Sequence, residues 1–150
     1  IYKGSGFFQH GHTYMGHPVA CAASIAVLNA IDERGLIRHV REMGSYFDTK
    51  LTEKFGKHPY IGNIRGRGFF WGLEVVKDRT TKEPFDPALK VHSKIKQAAF
   101  ENGMICYPMG GTIDGEIGDH ILLAPPFIAG KEDIDTITDI LSFSINSLEK

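Results

Sequence analysis

The stretch GSGFFQHGHTYMGHPVACAASIA, from Gly4 to Ala26, sets a polar loop directly before an apolar segment. Pro18 is favoured at the first position of a helix, and no helix breaker follows until Gly35. Helix starts carry unpaired backbone N–H groups and partial positive charge, so the loop around Thr13 is a candidate anion site. An ordinary polar helix cap is the alternative interpretation. Apolar residues on every face of the helix predict that it is buried all round, partly against surface outside this chain.

The remaining sequence alternates helical and strand patterns. Apolar residues recur at three- and four-residue steps from Leu36 to Phe55, which predicts a helix with one apolar stripe that Gly56 ends. Further helices are predicted from Asp86-Pro87 to Asn102-Gly103 and over 131–148. Strands are predicted over 61–64, 69–76, 104–107 and 120–123, with Gly66 and Gly68 bracketing a bend.

This order of elements predicts an α/β fold of the α+β kind. A short, largely antiparallel sheet is covered by helices on one side, and a buried helix and a linking helix precede it. We place a domain boundary at residue 35, so that residues 1–35 and 36–150 form separate parts. Cys21 and Cys106 each lie in an apolar run, which favours two reduced structural thiols over a disulfide.

Composition argues against several classes of partner. The 150 residues carry a formal net charge of −1, which gives no electrostatic reason to expect a nucleic-acid partner. No apolar run approaches the roughly 20 residues that span a bilayer, and no basic-then-apolar leader pattern is visible in this sequence. We therefore expect no membrane partner and a cytoplasmic location.

Three local patterns have competing interpretations. His10, His12 and His17 resemble a zinc-ligand cluster, but no CxxC or HExxH accompanies them, so we expect no metal. Arg65 and Arg67 match the geometry of a substrate carboxylate, although a structural ion pair at a tight turn is favoured. The glycine-rich loop over 110–115 is flexible by composition and covers the mouth of a site or forms a surface turn.

The motifs together resemble the class III pyridoxal-phosphate (PLP) aminotransferases, the omega-aminotransferase group. The resemblance rests on the Gly4–Ala26 stretch, on NIRGRGFFWGLEVV (Asn63–Val76) and on NGMICYPMGGTIDGEIGDHILLAPPFI (Asn102–Ile128). It implies a fold type I transferase with PLP as cofactor. Thr13 matches the threonine that binds the cofactor phosphate of the neighbouring subunit in a homodimer, and His12 lies beside it. Amino transfer between an amine or amino acid and a 2-oxo acid is the implied activity.

The same resemblance predicts that the chain is the C-terminal third or so of a longer protein. Residues 1–35 would end the large cofactor-binding domain, and 36–150 would form the C-terminal small domain. The family's Schiff-base lysine, ring-nitrogen aspartate and stacking aromatic lie upstream of the first motif, so no residue here is expected to match them. We expect this chain alone to be inactive, and a non-catalytic interaction module that binds no cofactor is the alternative.

Two departures from the family concern the substrate carboxylate. Many relatives place an arginine at the position of Tyr107, and others place one at Leu122. Neither is present here. We therefore expect Tyr107 in the substrate pocket and assign the carboxylate to Arg65, to Arg67 or to a residue outside this chain, unless less charged amino donors are preferred.

Overall fold

The computed structural model describes residues 3–149, apart from the side chain of Glu149. The chain divides into two compact units, Ile1–Leu36 and Ile37–Lys150. Assignment of the two parts to a large domain and a small domain remains a prediction. No helix within the described residues has the length and apolarity needed to cross a membrane.

The first unit contains the glycine-containing loop and helix α1 (Pro18–Glu33). His17 caps the helix, because its Nδ1 accepts a hydrogen bond from the backbone N–H of Ala20 at 3.4 Å. No residue of α1 is buried. The described chain therefore supplies none of the burial predicted for α1, since the loop and the single helix of this unit offer no second layer against which α1 could pack. Burial against surface outside the chain remains a prediction.

The second unit is a four-stranded sheet with helices on one side. Helix α2 (Leu36–Phe55) leads into the hairpin β1 (Ile61–Arg67) and β2 (Phe70–Val75). After α3 (Val91–Glu101), strands β3 (Tyr107–Gly110) and β4 (Asp119–Leu123) form a second hairpin, and α4 (Lys131–Asn146) follows. The strand order is β1-β2-β4-β3, and every pairing is antiparallel. The predicted antiparallel sheet is confirmed.

One hydrophobic core joins the helices to the inner face of the sheet. Alternate residues of β2 and β4 point inward, where Leu73 and Ile121 are fully buried. The predicted stripe of α2 supplies Phe47, whose ring meets the Trp71 indole edge-on at a centroid distance of 6.3 Å. Burial of such side chains stabilises the fold by about 1.5–3 kcal/mol each. The core therefore fixes which face of the sheet is left outside.

Several predicted boundaries differ from the structure. Strand β1 continues through Gly66 to Arg67, so the bend lies at Gly68, which has a φ of 58°. The helix expected from Asp86 is interrupted by Lys90 at φ 48°, so a short 3-10 helix over Pro87–Leu89 precedes α3. Strand β3 begins at Tyr107, the last residue of the predicted strand over 104–107, and α4 ends at Asn146 before a short 3-10 helix over Ser147–Glu149.

The start of α3 is capped by a residue from a distant strand. Lys90, the residue that precedes α3, makes no side-chain cap. Instead the buried carboxylate of Asp119 accepts hydrogen bonds from the backbone N–H of His92 at 3.3 Å and from the imidazole Nδ1 at 2.6 Å. Because a helix N-terminus favours negative charge, this contact fastens α3 to β4.

A polar cluster on the outer surface joins α2 to α4. The Tyr46 hydroxyl donates a hydrogen bond to Asp135 at 2.8 Å, and the Lys50 ammonium lies 3.0 Å from the same carboxylate. The hydrogen bond from Lys50 has the larger effect on the pKa of Asp135, and the hydrogen bond from Tyr46 has the next. Together they hold this pKa below its usual value.

Candidate functional site

The Thr13 loop forms a turn before the helix cap. The backbone N–H of Met15 donates to the carbonyl of His12 at 3.0 Å, which closes the turn around Thr13. Thr13 is exposed, and its hydroxyl makes no hydrogen bond within residues 3–149. Since His17 already occupies the Ala20 N–H, the anion-binding capacity of this loop rests on the Thr13 hydroxyl and the backbone of the turn.

The histidines of this loop make aromatic contacts with their neighbours. The rings of His10 and His12 meet edge-on at a centroid distance of 4.7 Å, and His17 stacks on Tyr14 at 5.6 Å. Across the described chain, no three potential metal ligands lie close enough to hold an ion. The aromatic contacts and the helix cap are the interactions that these histidines make in the described chain.

The outer face of the sheet brings together residues from all four strands. Strand pairing aligns Arg65 with Gly72, Gly72 with Leu122, and Leu122 with Tyr107. We call these four residues the outer row. Neighbouring strands lie about 4.8 Å apart, so the Cα atoms at the two ends of the row are about 14 Å apart. Tyr107 and Leu122, the two positions at which the family resemblance predicts an arginine, are thus direct neighbours.

The ends of the outer row are polar and its centre is not. Tyr107 is 59% exposed, and Leu122 is half-buried beside Gly72. Arg65 is exposed and donates a hydrogen bond to the side-chain oxygen of Asn63 at 3.0 Å. The row therefore presents a guanidinium and a phenol on either side of a low, apolar centre, which suits a molecule with a carboxylate and an aliphatic chain.

The expected ion pair at the β1–β2 turn is absent from the described part of the chain. Neither Arg65 nor Arg67 lies within 4 Å of a carboxylate oxygen in residues 3–149. Arg67 pairs with Phe70 at the end of the hairpin and is exposed on the same face as Arg65. The favoured ion pair is thus not formed among the described residues, because the one acid on the facing strand, Glu74, pairs in register with Asn63 and its carboxylate lies near Gly62. Both cations face outward.

The glycine-rich loop between β3 and β4 is tied down by its own hydrogen bonds. The carboxylate of Asp114 accepts from the backbone N–H groups of Ile117 and Glu116, and these bonds lower the pKa of Asp114. The Thr112 hydroxyl lies 2.6 Å from His120 Nδ1. His120 is paired with Glu74 and therefore lies in the row of residues next to the outer row. Flexibility expected from the glycine content is therefore offset by hydrogen bonding within the loop.

Only some of the residues that the sequence predicts for the site lie on one surface of the structure. The predicted residues are Thr13, His12, Arg65, Arg67 and Tyr107. Arg65 and Tyr107 share the outer row, whereas Thr13 and His12 lie in the first unit.

Gly72 was not recognised as part of this surface, although alternation along 69–76 placed it opposite the core. The pair His92–Asp119 was missed because its partners are 27 positions apart and belong to different elements.

Comparison with known proteins identifies the family. The family description "aminotransferase class-III" matches residues 1–145. An uncharacterized aminotransferase of Schizosaccharomyces pombe is 50% identical over 95% of this chain and 30% of its own length. Diaminobutyrate–2-oxoglutarate transaminase of Halomonas elongata is 34% identical over 93% of this chain and 28% of its own length.

Solved structures agree. An omega-aminotransferase from Paracoccus denitrificans superposes with a TM-score of 0.83 at 34% identity, over 99% of this chain and 31% of that one. The PMP-bound aminotransferase from Vibrio fluvialis gives a TM-score of 0.82 at 32% identity, over 99% and 31%. The chain thus spans about 30% of the length of these relatives. It belongs to the class-III aminotransferase family.

Proposed function

We propose that the full-length protein is a PLP-dependent aminotransferase that moves an amino group between an amine or amino acid and a 2-oxo acid. The family match over residues 1–145 carries this proposal. Similar proteins have been solved in PMP-bound and PLP-bound forms, at 32% and 33% identity, which supports the cofactor. When bound, PLP supplies the electron sink for the reaction. We also propose a cytoplasmic homodimer with a cofactor site shared between subunits.

Thr13 is proposed to hold the cofactor phosphate, with His12 beside it. The fit rests on the exposed Thr13 hydroxyl, which has no hydrogen-bond partner within residues 3–149. Hydroxyl and backbone N–H groups of a turn are suitable donors to a phosphate. In this arrangement Thr13 orients the phosphate and contributes nothing to proton transfer.

Arg65 and Tyr107 are proposed to bind the substrate, with Arg67 as a second cation on the same face. Arg65 supplies a guanidinium fork that matches a carboxylate, and the Tyr107 hydroxyl offers a donor at the opposite end of the outer row. A substrate carboxylate on Arg65 would be held in one orientation. This division assigns binding and orientation to the present residues and the proton transfers to the rest of the protein.

The cofactor role of Thr13 is tested by comparing Thr13→Ala with Thr13→Ser in the full-length protein. A hydrogen bond to a charged phosphate contributes about 1.5–3 kcal/mol, so alanine should weaken PLP binding roughly ten- to hundredfold. Serine keeps the hydroxyl and should retain most of the affinity. The affinity of each variant is measured by titrating its apoprotein with PLP and following the absorbance of the cofactor. Equal affinity in all three proteins would show that Thr13 does not touch the phosphate.

The proposed activity is tested by amino transfer from a panel of donors to pyruvate or 2-oxoglutarate. A full-length protein that binds no PLP and transfers no amino group would instead support the non-catalytic module.

The substrate role of Tyr107 is tested with Tyr107→Arg, which should raise kcat/KM for a carboxylate-bearing donor relative to a matched amine by about tenfold. An unchanged ratio with cofactor fully bound would place Tyr107 outside the pocket.

A further inference from the structure

Gly72 occupies a position that the packing of the chain does not explain. It lies in the middle of β2, where glycine weakens a strand because it has no side chain to pack and loses much conformational freedom on folding. Its backbone is not in the positive-φ region. A Cβ atom added at Gly72 would lie 3.6 Å from Leu122 Cδ2 and 3.8 Å from the carbonyl oxygen of Arg65, which are ordinary van der Waals distances. Alanine would therefore fit.

Two other glycines of this unit, Gly66 and Gly44, have clear structural reasons. A Cβ at Gly66 would lie 2.3 Å from the carbonyl oxygen of Phe70, and one at Gly44 would lie 2.7 Å from the Cα of Gly68. Each marks a close approach of two backbones that no side chain could survive. Gly72 differs because a Cβ there would make only ordinary van der Waals contacts within the described chain. Packing among the described residues therefore does not require a glycine at this position.

We infer that Gly72 is a specificity-determining residue that keeps the centre of the outer row clear for a carboxylate-bearing substrate. A glycine inside a strand often marks a place where a ligand approaches closely. Gly72 lies one strand from Arg65, about 5 Å away, and two strands from Tyr107, about 10 Å away. A carboxylate bound by Arg65 would therefore carry its aliphatic chain over Gly72 toward Leu122. This inference rests on the proposed aminotransferase function.

The alternative occupant of this space is another segment of the full-length protein. The exposed guanidinium at one end of the outer row and the exposed phenol at the other favour a small polar ligand over an apolar packing surface. A segment packed on Gly72 would also be displaced by a larger side chain, and the folded protein would lose stability. The two occupants thus differ in how Tm responds to substitution.

The test compares Gly72→Ala and Gly72→Val in the full-length holoenzyme with Gly130→Ala as control. Gly130 lies outside the outer row, and a Cβ there would meet only the Asp133 side chain, at 3.9 Å. The donors are L-alanine, 4-aminobutyrate, 6-aminohexanoate and hexylamine; 2-oxoglutarate is the acceptor for L-alanine, and pyruvate or 2-oxoglutarate is the acceptor for the others. Hexylamine matches 6-aminohexanoate in chain length but lacks the carboxylate. KM, kcat, cofactor absorbance and Tm are measured for every variant.

We expect Gly72→Val to raise KM for the carboxylate-bearing donors by about tenfold, with less than a threefold change for hexylamine. Gly72→Ala should give a smaller rise, and its Tm should be unchanged or slightly higher because alanine restricts the unfolded chain. The control should match wild type in KM. Arg65→Gln should also raise KM for the carboxylate-bearing donors and not for hexylamine. This variant removes the partner of the carboxylate without filling the space over Gly72.

Each other outcome has a defined meaning. Equal KM values in wild type and Gly72→Val, with cofactor bound, would overturn the inference and leave the proposed function intact. A lower Tm with unchanged KM would show that a protein segment covers Gly72 and would also overturn it. A wild-type enzyme that is active only with hexylamine would show that the site does not accept a carboxylate-bearing donor, and this would overturn the inference. A folded wild type inactive with every donor would count against the proposed function and, with it, this inference.

Discussion

Replacing Asp119 with alanine should destabilise the first turn of α3. The Asp119 side chain is only 8% exposed and accepts two hydrogen bonds from His92, one of them from a helix N–H. A hydrogen bond to a charged group contributes about 1.5–3 kcal/mol, and a helix cap contributes about 1 kcal/mol. The His92 imidazole is 33% exposed and can bond water after the loss, which reduces the effect. We therefore expect a local destabilisation of about 2–3 kcal/mol.

Hydrogen–deuterium exchange measures this change without requiring two-state unfolding of the whole protein. A loss of about 2–3 kcal/mol corresponds to roughly 30- to 150-fold faster exchange of the amides in α3. Asp119→Asn is the matched control, because it keeps an acceptor oxygen at the same place and should accelerate exchange far less. If exchange in α3 of Asp119→Ala stayed within threefold of wild type, the cap would not stabilise the helix, and the argument from its geometry would fail.

Three further outcomes follow from the same structure. Gly66→Ala should lower the free energy of unfolding by about 1–3 kcal/mol, measured in urea, because its Cβ would overlap the β2 backbone; a neutral effect would contradict that contact. Asp135→Asn should flatten the acid side of the stability profile: the folded pKa of Asp135 is lowered by Lys50, so its contribution is present above the unfolded value of about 3.9 and lost as pH falls through the folded value. Burial raises the pKa of Cys106, so iodoacetamide should label it more slowly at pH 8 in the folded protein than in urea, and equal rates would argue against burial.

The fold could be predicted where one periodic pattern decided it. The stripe of α2 and the alternation along 69–76 gave a helix and a strand close to those observed, since each pattern reports burial of one face. The break at Lys90 escaped prediction because the cap that starts α3 comes from β4. Local sequence carries no signal for a cap supplied by tertiary structure.

The candidate site was predictable only through individual residues. Arg65 and Tyr107 could be chosen from their chemistry and from the family motifs, but their common row depends on the strand order β1-β2-β4-β3. The extent to which α1 is exposed in this chain could not be predicted either, because a uniformly apolar helix carries no mark of which surface covers it. Sequence thus pointed to the two ends of the outer row, Arg65 and Tyr107, and not to Gly72 or to the arrangement of the row.

The strand order also has a consequence for how the sheet forms. Each of the two hairpins, β1–β2 and β3–β4, closes over a short stretch of chain, so either can form early and by itself. The β2–β4 pairing joins them, with Trp71 opposite Leu123, and it must close a much longer loop that includes α3. Such a closure costs about 3 kcal/mol in chain entropy before the core repays it. Assembly of this unit should therefore be limited by the meeting of two preformed hairpins, and core substitutions at the β2–β4 seam should slow folding more than equally destabilising ones within either turn.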